Sequence, residues 1–112
     1  MRRPDCDPQD VRMSDVLCDF CGREWSDALP MVEGHQGSCV CGDCLRDAFR
    51  ALVLDGAPAP PTPARCTLCL EERDDPAWRA AGRDAVACRR CVRQSAAVLQ
   101  KDPDLGWRKP EA

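Results

Sequence analysis

Eight of the ten cysteines in this chain of 112 residues repeat one spacing: Cys18-x2-Cys21-x19-Cys41-x2-Cys44, then Cys66-x2-Cys69-x18-Cys88-x2-Cys91. Thiolate is a soft ligand, and two CxxC pairs separated by about fifteen to twenty residues complete a tetrahedral Zn²⁺ shell. The spacing therefore predicts two zinc ions per chain, the first on Cys18, Cys21, Cys41 and Cys44, the second on Cys66, Cys69, Cys88 and Cys91. A catalytic zinc keeps one position open for water or substrate, whereas four cysteines fill the shell. The expected role of the metal is structural, and no enzyme activity is expected.

The remaining cysteines fit this pattern less well. Pairing Cys39 with Cys44 would put four residues between the ligands, while Cys41 with Cys44 keeps the two-residue knuckle and matches Cys88 with Cys91. Cys39 then falls opposite Val86 and reads as a small hydrophobe in a strand. Cys6 has no partner in the pattern and reads as a free thiol. The single histidine, His35, has no evident nucleophile beside it and reads as an exposed loop residue. Serial disulfides are the competing use of so many cysteines. The N-terminal Met1-Arg-Arg-Pro-Asp-Cys-Asp-Pro shows no apolar stretch of the signal-peptide kind, so a reducing, cytoplasmic setting and metal ligation are expected. Thiol-disulfide exchange of the thioredoxin type needs one CxxC in a βαβ context; a redox-sensitive zinc switch or holdase stays as a third functional reading.

Positioning four ligands takes little chain, and little is available. Units of about forty residues rarely fold on an apolar core alone and use a metal to complete it. The aromatic residues are few: Trp25, Trp78, Trp107, Phe20 and Phe49. Residues 1–14 are polar and read as a flexible tail, 15–54 as the first zinc finger, 55–65 as a proline-rich linker, 66–100 as the second finger and 101–112 as a C-terminal tail. Gly34 follows Cys21 by the same thirteen residues that separate Gly82 from Cys69, which predicts equivalent hairpin turns of positive φ and a one-residue insertion between Gly34 and Cys41. After each second CxxC comes a helical stripe, Leu45, Ala48, Phe49, Leu52 and Val53 in one unit and Val92, Ala96 and Leu99 in the other. The expected architecture is a small metal-stabilised α+β fold of two tandem treble-clef zinc fingers, each a knuckle, a β-hairpin and a C-terminal helix. The last two thiolates of each site fall at a helix N-terminus, where the helix dipole favours negative charge.

These residues resemble a known family. Cys18-Asp-Phe-Cys-Gly22, Met31-Val-Glu-Gly34 and Cys41-Gly-Asp-Cys-Leu45 are similar to the four-cysteine zinc-binding domain at the N-terminus of the ClpX unfoldase. The second unit keeps the ligands and Cys88-Arg-Arg-Cys-Val92, with Leu68 and Leu70 in place of Phe20 and Gly22. The resemblance implies a dimerising treble clef that binds adaptor proteins and some substrates, hence a protein partner and a pseudo-dimer of the two repeats, or a homo-oligomer. No G-x-x-x-x-G-K-[ST] phosphate loop occurs, so the chain carries no ATPase domain of that kind.

Charge bears on the partner. The formal net charge is -3, and each zinc held by four thiolates adds a complex of charge about -2. Bulk attraction to nucleic acid is disfavoured, although a small zinc-finger nucleic-acid or transcription accessory protein using Arg79, Arg83, Arg89, Arg90 and Arg93 is the alternative reading. Unit one carries seven acidic residues against three arginines, while unit two has a balance near +1. Trp25, Met31 and Val32 form the candidate apolar contact for a protein partner. No run of about twenty apolar residues is present, so no membrane partner is expected.

Overall fold

Proline hands the chain into the first strand of each unit: Pro30 precedes β1 (Met31–Glu33) and Pro76 precedes β5 (Ala77–Arg79). The computed structural model describes residues 1–58 and 64–111, so Ala59 to Pro63 of the proline-rich linker and Ala112 lie outside the described residues. β1 pairs antiparallel with β2 (Cys39–Cys41), which sets Met31 opposite Cys41 and Val32 opposite Val40. β2 leads directly into α1 (Gly42–Phe49), which continues as a π turn over Arg50–Leu54. In unit two a short pair, β3 (Ala64–Arg65) and β4 (Glu72–Arg73), brackets the knuckle, where unit one has a single bridge between Leu17 and Glu24. β5 then pairs with β6 (Val86–Cys88), and α2 (Arg89–Lys101) follows. Each unit thus runs knuckle, hairpin, helix, the order of a treble clef.

The hairpin register differs from the one the glycines imply. The Gly42 N–H donates to the Pro30 carbonyl and the Arg89 N–H to the Pro76 carbonyl, both at 2.9 Å, so Met31 is equivalent to Ala77 and Val32 to Trp78. Relative to unit two, unit one has two more residues before its first strand and one fewer in its hairpin loop, which nets to the observed single-residue difference. Gly34 directly follows β1, while Gly82 sits mid-loop, and the two are not equivalent. Gly82 does take positive φ, +74°, with open space around it. Gly34 has φ of −103°, and left-handed backbone in its loop falls instead on Gln36 and Gly37.

Close approach explains Gly34. A Cβ there would stand 2.6 Å from the Leu68 carbonyl oxygen and 2.9 Å from the Leu68 Cα, inside the contact distance of real side chains. The neighbouring His35 N–H donates to that same carbonyl at 2.8 Å. Hairpin one therefore sits on knuckle two by its backbone. The reverse contacts use side chains: Phe20 of knuckle one stacks obliquely on Trp78 of β5 with ring centroids 5.7 Å apart, and the Arg83 guanidinium from hairpin two lies over Gly22.

Helix α1 packs on α2, and the two units share one apolar core. The helical stripes supply it: Leu45, Ala48, Phe49 and Leu52 from one side and Val92, Ala96 and Leu99 from the other are all buried. Leu45, Leu52 and Leu99 are nearly inaccessible, each contributing about 1.5–3 kcal/mol of transfer free energy. Both flanking segments lie against this core. Arg3 N–H donates to the Asp15 carbonyl at 2.8 Å, and Arg2 bridges to Val16. Trp107 is buried, and its indole Nε1–H donates to the Gly42 carbonyl at 2.9 Å.

Candidate metal centres

Two sequence-local devices bring each set of sulfurs together. The first CxxC turns back on itself: the Gly22 N–H donates to the Cys18 carbonyl at 2.8 Å, and the Leu70 N–H to the Cys66 carbonyl at 2.8 Å. The residue closing each turn is left-handed, with φ of +79° at Gly22 and +64° at Leu70. The second CxxC straddles the end of a strand and the first turn of a helix, with Cys41 and Cys88 in the N-cap positions and Cys44 and Cys91 one turn in. The N-cap residue has extended backbone, so its side chain swings toward the first-turn thiol.

The structure brings Cys18, Cys21, Cys41 and Cys44 into one tetrad and Cys66, Cys69, Cys88 and Cys91 into another, all sulfurs of each set within 4.8 Å of one another. The Cys21 and Cys41 sulfurs are 3.7 Å apart, and those of Cys69 and Cys88 3.9 Å. A tetrahedron with Zn–S bonds of about 2.3 Å has edges of about 3.8 Å, and a disulfide would require about 2.05 Å. The donors fit zinc in number, chemistry and spacing, and each tetrad can hold one ion. Three of the four cysteines in each set are buried. Cys39 is fully buried in β2 but outside the tetrad, its thiol facing the Gly37 carbonyl at 3.6 Å. Burial pushes the Cys39 thiol up, away from the thiolate a metal needs. Cys6 stays outside both sets.

Backbone amides aim the sulfurs. Phe20 and Cys41 N–H groups donate to the Cys18 sulfur at 3.4 and 3.3 Å, and Cys44 N–H donates to the Cys41 sulfur at 3.4 Å. In unit two the Cys88 N–H donates to the Cys66 sulfur at 3.4 Å. Hydrogen bonds to ligand atoms fix their orientation and stabilise their negative charge. Without a cation a tetrad holds its negative charge unevenly. Hydrogen bonds from the Cys41 and Cys44 thiols hold Cys18 as a thiolate far below the usual range, and Cys88 and Cys91 do the same for Cys66. The charged neighbour in turn pushes Cys41 up to about 12 and Cys88 up to about 11, with Cys44 and Cys91 raised further by two sulfur neighbours each. A divalent ion must therefore displace protons as it binds.

Sequence reasoning missed Arg23. Its guanidinium donates to the Cys21 sulfur at 3.3 Å and to the Cys41 sulfur at 3.7 Å, and pairs with Asp43 at 3.0 Å. Its hydrogen bonds to the Cys21 sulfur and to Asp43 raise its pKa, so it is a fixed cation beside the first tetrad. Among the described residues no guanidinium or ammonium donates to a site-two sulfur; Glu71 occupies the position equivalent to Arg23. The available signal was an arginine immediately after the Cys-Gly turn. Of the apolar contact residues, Met31 is buried core because β1 sets it opposite Cys41, whereas Trp25 and Val32 are half-buried. Val32 lines a cleft of about 330 Å³ with Leu68 and Val98. His35 is an exposed residue of the hairpin loop.

Among the described residues no helix is long and apolar enough to cross a membrane. No curated protein and no solved structure shows a significant match to the chain. A family model, the ClpX C4-type zinc finger, matches residues 16–53, which span the first tetrad, its hairpin and α1. Residues 16–53 are thus similar to a C4-type zinc finger of the ClpX kind and pack in one fold against a second four-cysteine unit.

Proposed function

We propose that the chain is a non-enzymatic protein-binding module, an adaptor or recognition factor whose two zinc ions hold a docking surface in shape. The observation that carries this reading is the closure of both tetrads: four protein sulfurs complete each shell, leaving no position at which a metal-bound water or substrate would react. What zinc supplies is folding energy and rigidity for surfaces too small to hold themselves. Exposed apolar side chains lie beside those centres: Val98 is 60% exposed on α2, next to the half-buried Val32 of β1. Trp25 adds a partly exposed ring ahead of the first hairpin. Such groups favour a protein surface over phosphate.

Affinity capture from nuclease-treated native extract tests the reading, with the zinc-loaded protein and a Val32→Asp/Val98→Asp variant run in parallel. A defined protein retained by the former and lost from the latter is expected. Recovery of RNA or DNA from untreated extract, with binding that falls steeply with salt, contradicts it and favours a nucleic-acid role.

A further inference from the structure

Helix α2 has a cleft on each flank. One holds Val32, Leu68 and Val98; the other, of about 620 Å³, lies between α2 and the end of the first helix. At its base are Phe49 and Ala96, both buried, with the half-buried Val53. Three exposed cations, Arg93, Lys101 and Lys109, line it as well. They include both lysines of a chain that otherwise uses arginine.

The cations of this cleft, like Arg2, Arg50, Arg65, Arg83 and Arg108 elsewhere, carry no ion pair among the described residues, while other arginines are already paired. Arg3, Arg23, Arg46, Arg79 and Arg89 each face a carboxylate, Glu24, Asp43, Asp43, Asp84 and Asp75 in turn. Among the described residues Arg93, Lys101 and Lys109 face none within 4 Å. In a chain of net charge -3, three cations without carboxylate partners around one apolar base are a concentrated complementarity. The cleft is also built. The Lys109 backbone N–H donates to the Gln100 side chain at 2.9 Å, which ties the C-terminal segment to α2. Across the cleft, the π turn is held by the Asp55 N–H on the Arg50 carbonyl at 2.9 Å and the Ala57 N–H on the Ala51 carbonyl at 3.1 Å, and it carries Val53. Widened turns of this kind concentrate at functional sites.

We propose that this cleft binds an acidic peptide segment of a partner protein, one that places an apolar side chain against Phe49, Val53 and Ala96 and carboxylates against Arg93, Lys101 and Lys109. The proposal rests on the protein-binding reading above and gives the partner a chemistry. A single-stranded nucleic acid is the poorer occupant: its bases need an open ring to stack on, and the cleft's one aromatic residue, Phe49, is only 7% exposed.

The probe is a fluorescein-labelled 14-residue peptide with leucines at helical spacing and glutamates elsewhere, together with the same peptide carrying glutamine for glutamate. Both are titrated into the full zinc-loaded chain by anisotropy, and the site is mapped by amide shifts. Binding of the glutamate peptide is expected to perturb 49–53, 93–101 and 109, with the glutamine peptide at least tenfold weaker. The Arg93→Glu/Lys101→Glu variant, shown by mass to retain two zinc ions, is expected to bind at least tenfold more weakly, and the distant Arg12→Glu variant within twofold of the parent. Equal losses in the two variants, shifts confined to other residues, or no binding overturn the proposal. So does tighter binding of a 14-nucleotide single strand at these residues, or self-association abolished by the charge reversal, which would seat a second copy there. If the partner captured from extract is retained by the charge-reversed variant, this proposal falls and the protein-binding reading stands; if no protein is captured at all, that reading falls as well.

Discussion

The two knuckles make the same backbone bonds with different side chains. Cys18 N–H donates to the Arg23 carbonyl and Cys66 N–H to the Glu71 carbonyl, both at 3.0 Å, and the next turn of each closes at 2.8 Å. Ligand geometry fixes the backbone, so the other positions are free to diverge, and they diverge toward the opposite unit. Phe20 meets Trp78, Gly22 leaves room for Arg83, and Leu68 lends its carbonyl to His35. Leu70 holds φ of +64° where Gly22 is unstrained, a cost of about 1 kcal/mol, and its N–H closes the turn on the Cys66 carbonyl at 2.8 Å. The centres differ in one further respect: an arginine guanidinium reaches two sulfurs of site one, and among the described residues no guanidinium or ammonium reaches a sulfur of site two.

If the units are interdependent, breaking one ligand set should reach both. Cys88→Ser is expected to lower the zinc count from two to one and to remove metal-linked folding energy on the order of 10 kcal/mol. Because the core is continuous, the thermal transition of unit one should fall as well. Cys39→Ala, outside the tetrad, should keep both ions. Mass spectrometry with circular dichroism reads both variants.

The helix starts separate the units next. Unit one covers the first turn of α1 with Trp107, while in unit two the Arg90 N–H donates to Asp75 at 2.9 Å. Trp107→Ala should cost about 3 kcal/mol in urea unfolding, with faster amide exchange in 42–45 than in 89–92.

The glycines, alike in sequence, should behave differently. Gly34→Ala pushes a methyl into the Leu68 backbone and should cost about 2–3 kcal/mol or loosen the unit interface. Gly82→Ala meets open space and should cost about 1 kcal/mol, the left-handed penalty alone. Equal costs would make the interface contact unimportant.

These contrasts show what was legible in the chain. Ligand spacing is local and chemically specific, and helical stripes are periodic, so the tetrads, the helices and the order of elements could be read from residues alone. Gly34 misled because equal distance from a knuckle is not equal position in a hairpin; counting from Pro30 and Pro76 gives the strand register. Trp107 acts across the fold, 65 residues from Gly42, and no local pattern announces such a contact; Arg23, two residues after Cys21, had a local signal that the spacing argument did not use.

The smallest expected difference lies in metal retention. Cys41 and Cys44, like Cys88 and Cys91, keep their protons through neutral pH without metal, so zinc must displace at least these two at each site. Affinity should fall as pH falls, roughly tenfold per displaced proton per pH unit. Arg23 opposes this by favouring thiolate at site one, which should release zinc to a chelator more slowly than site two. Arg23→Gln should erase the difference, a change of about tenfold. Unchanged release rates in the variant would deny the arginine this role.

Native mass spectrometry of protein purified without added zinc, alongside denaturing mass and thiol counting, tests the central claim most directly. Two zinc ions per chain with all ten cysteines reduced is the predicted result. Fewer than two metals together with disulfides among the eight tetrad cysteines would contradict it.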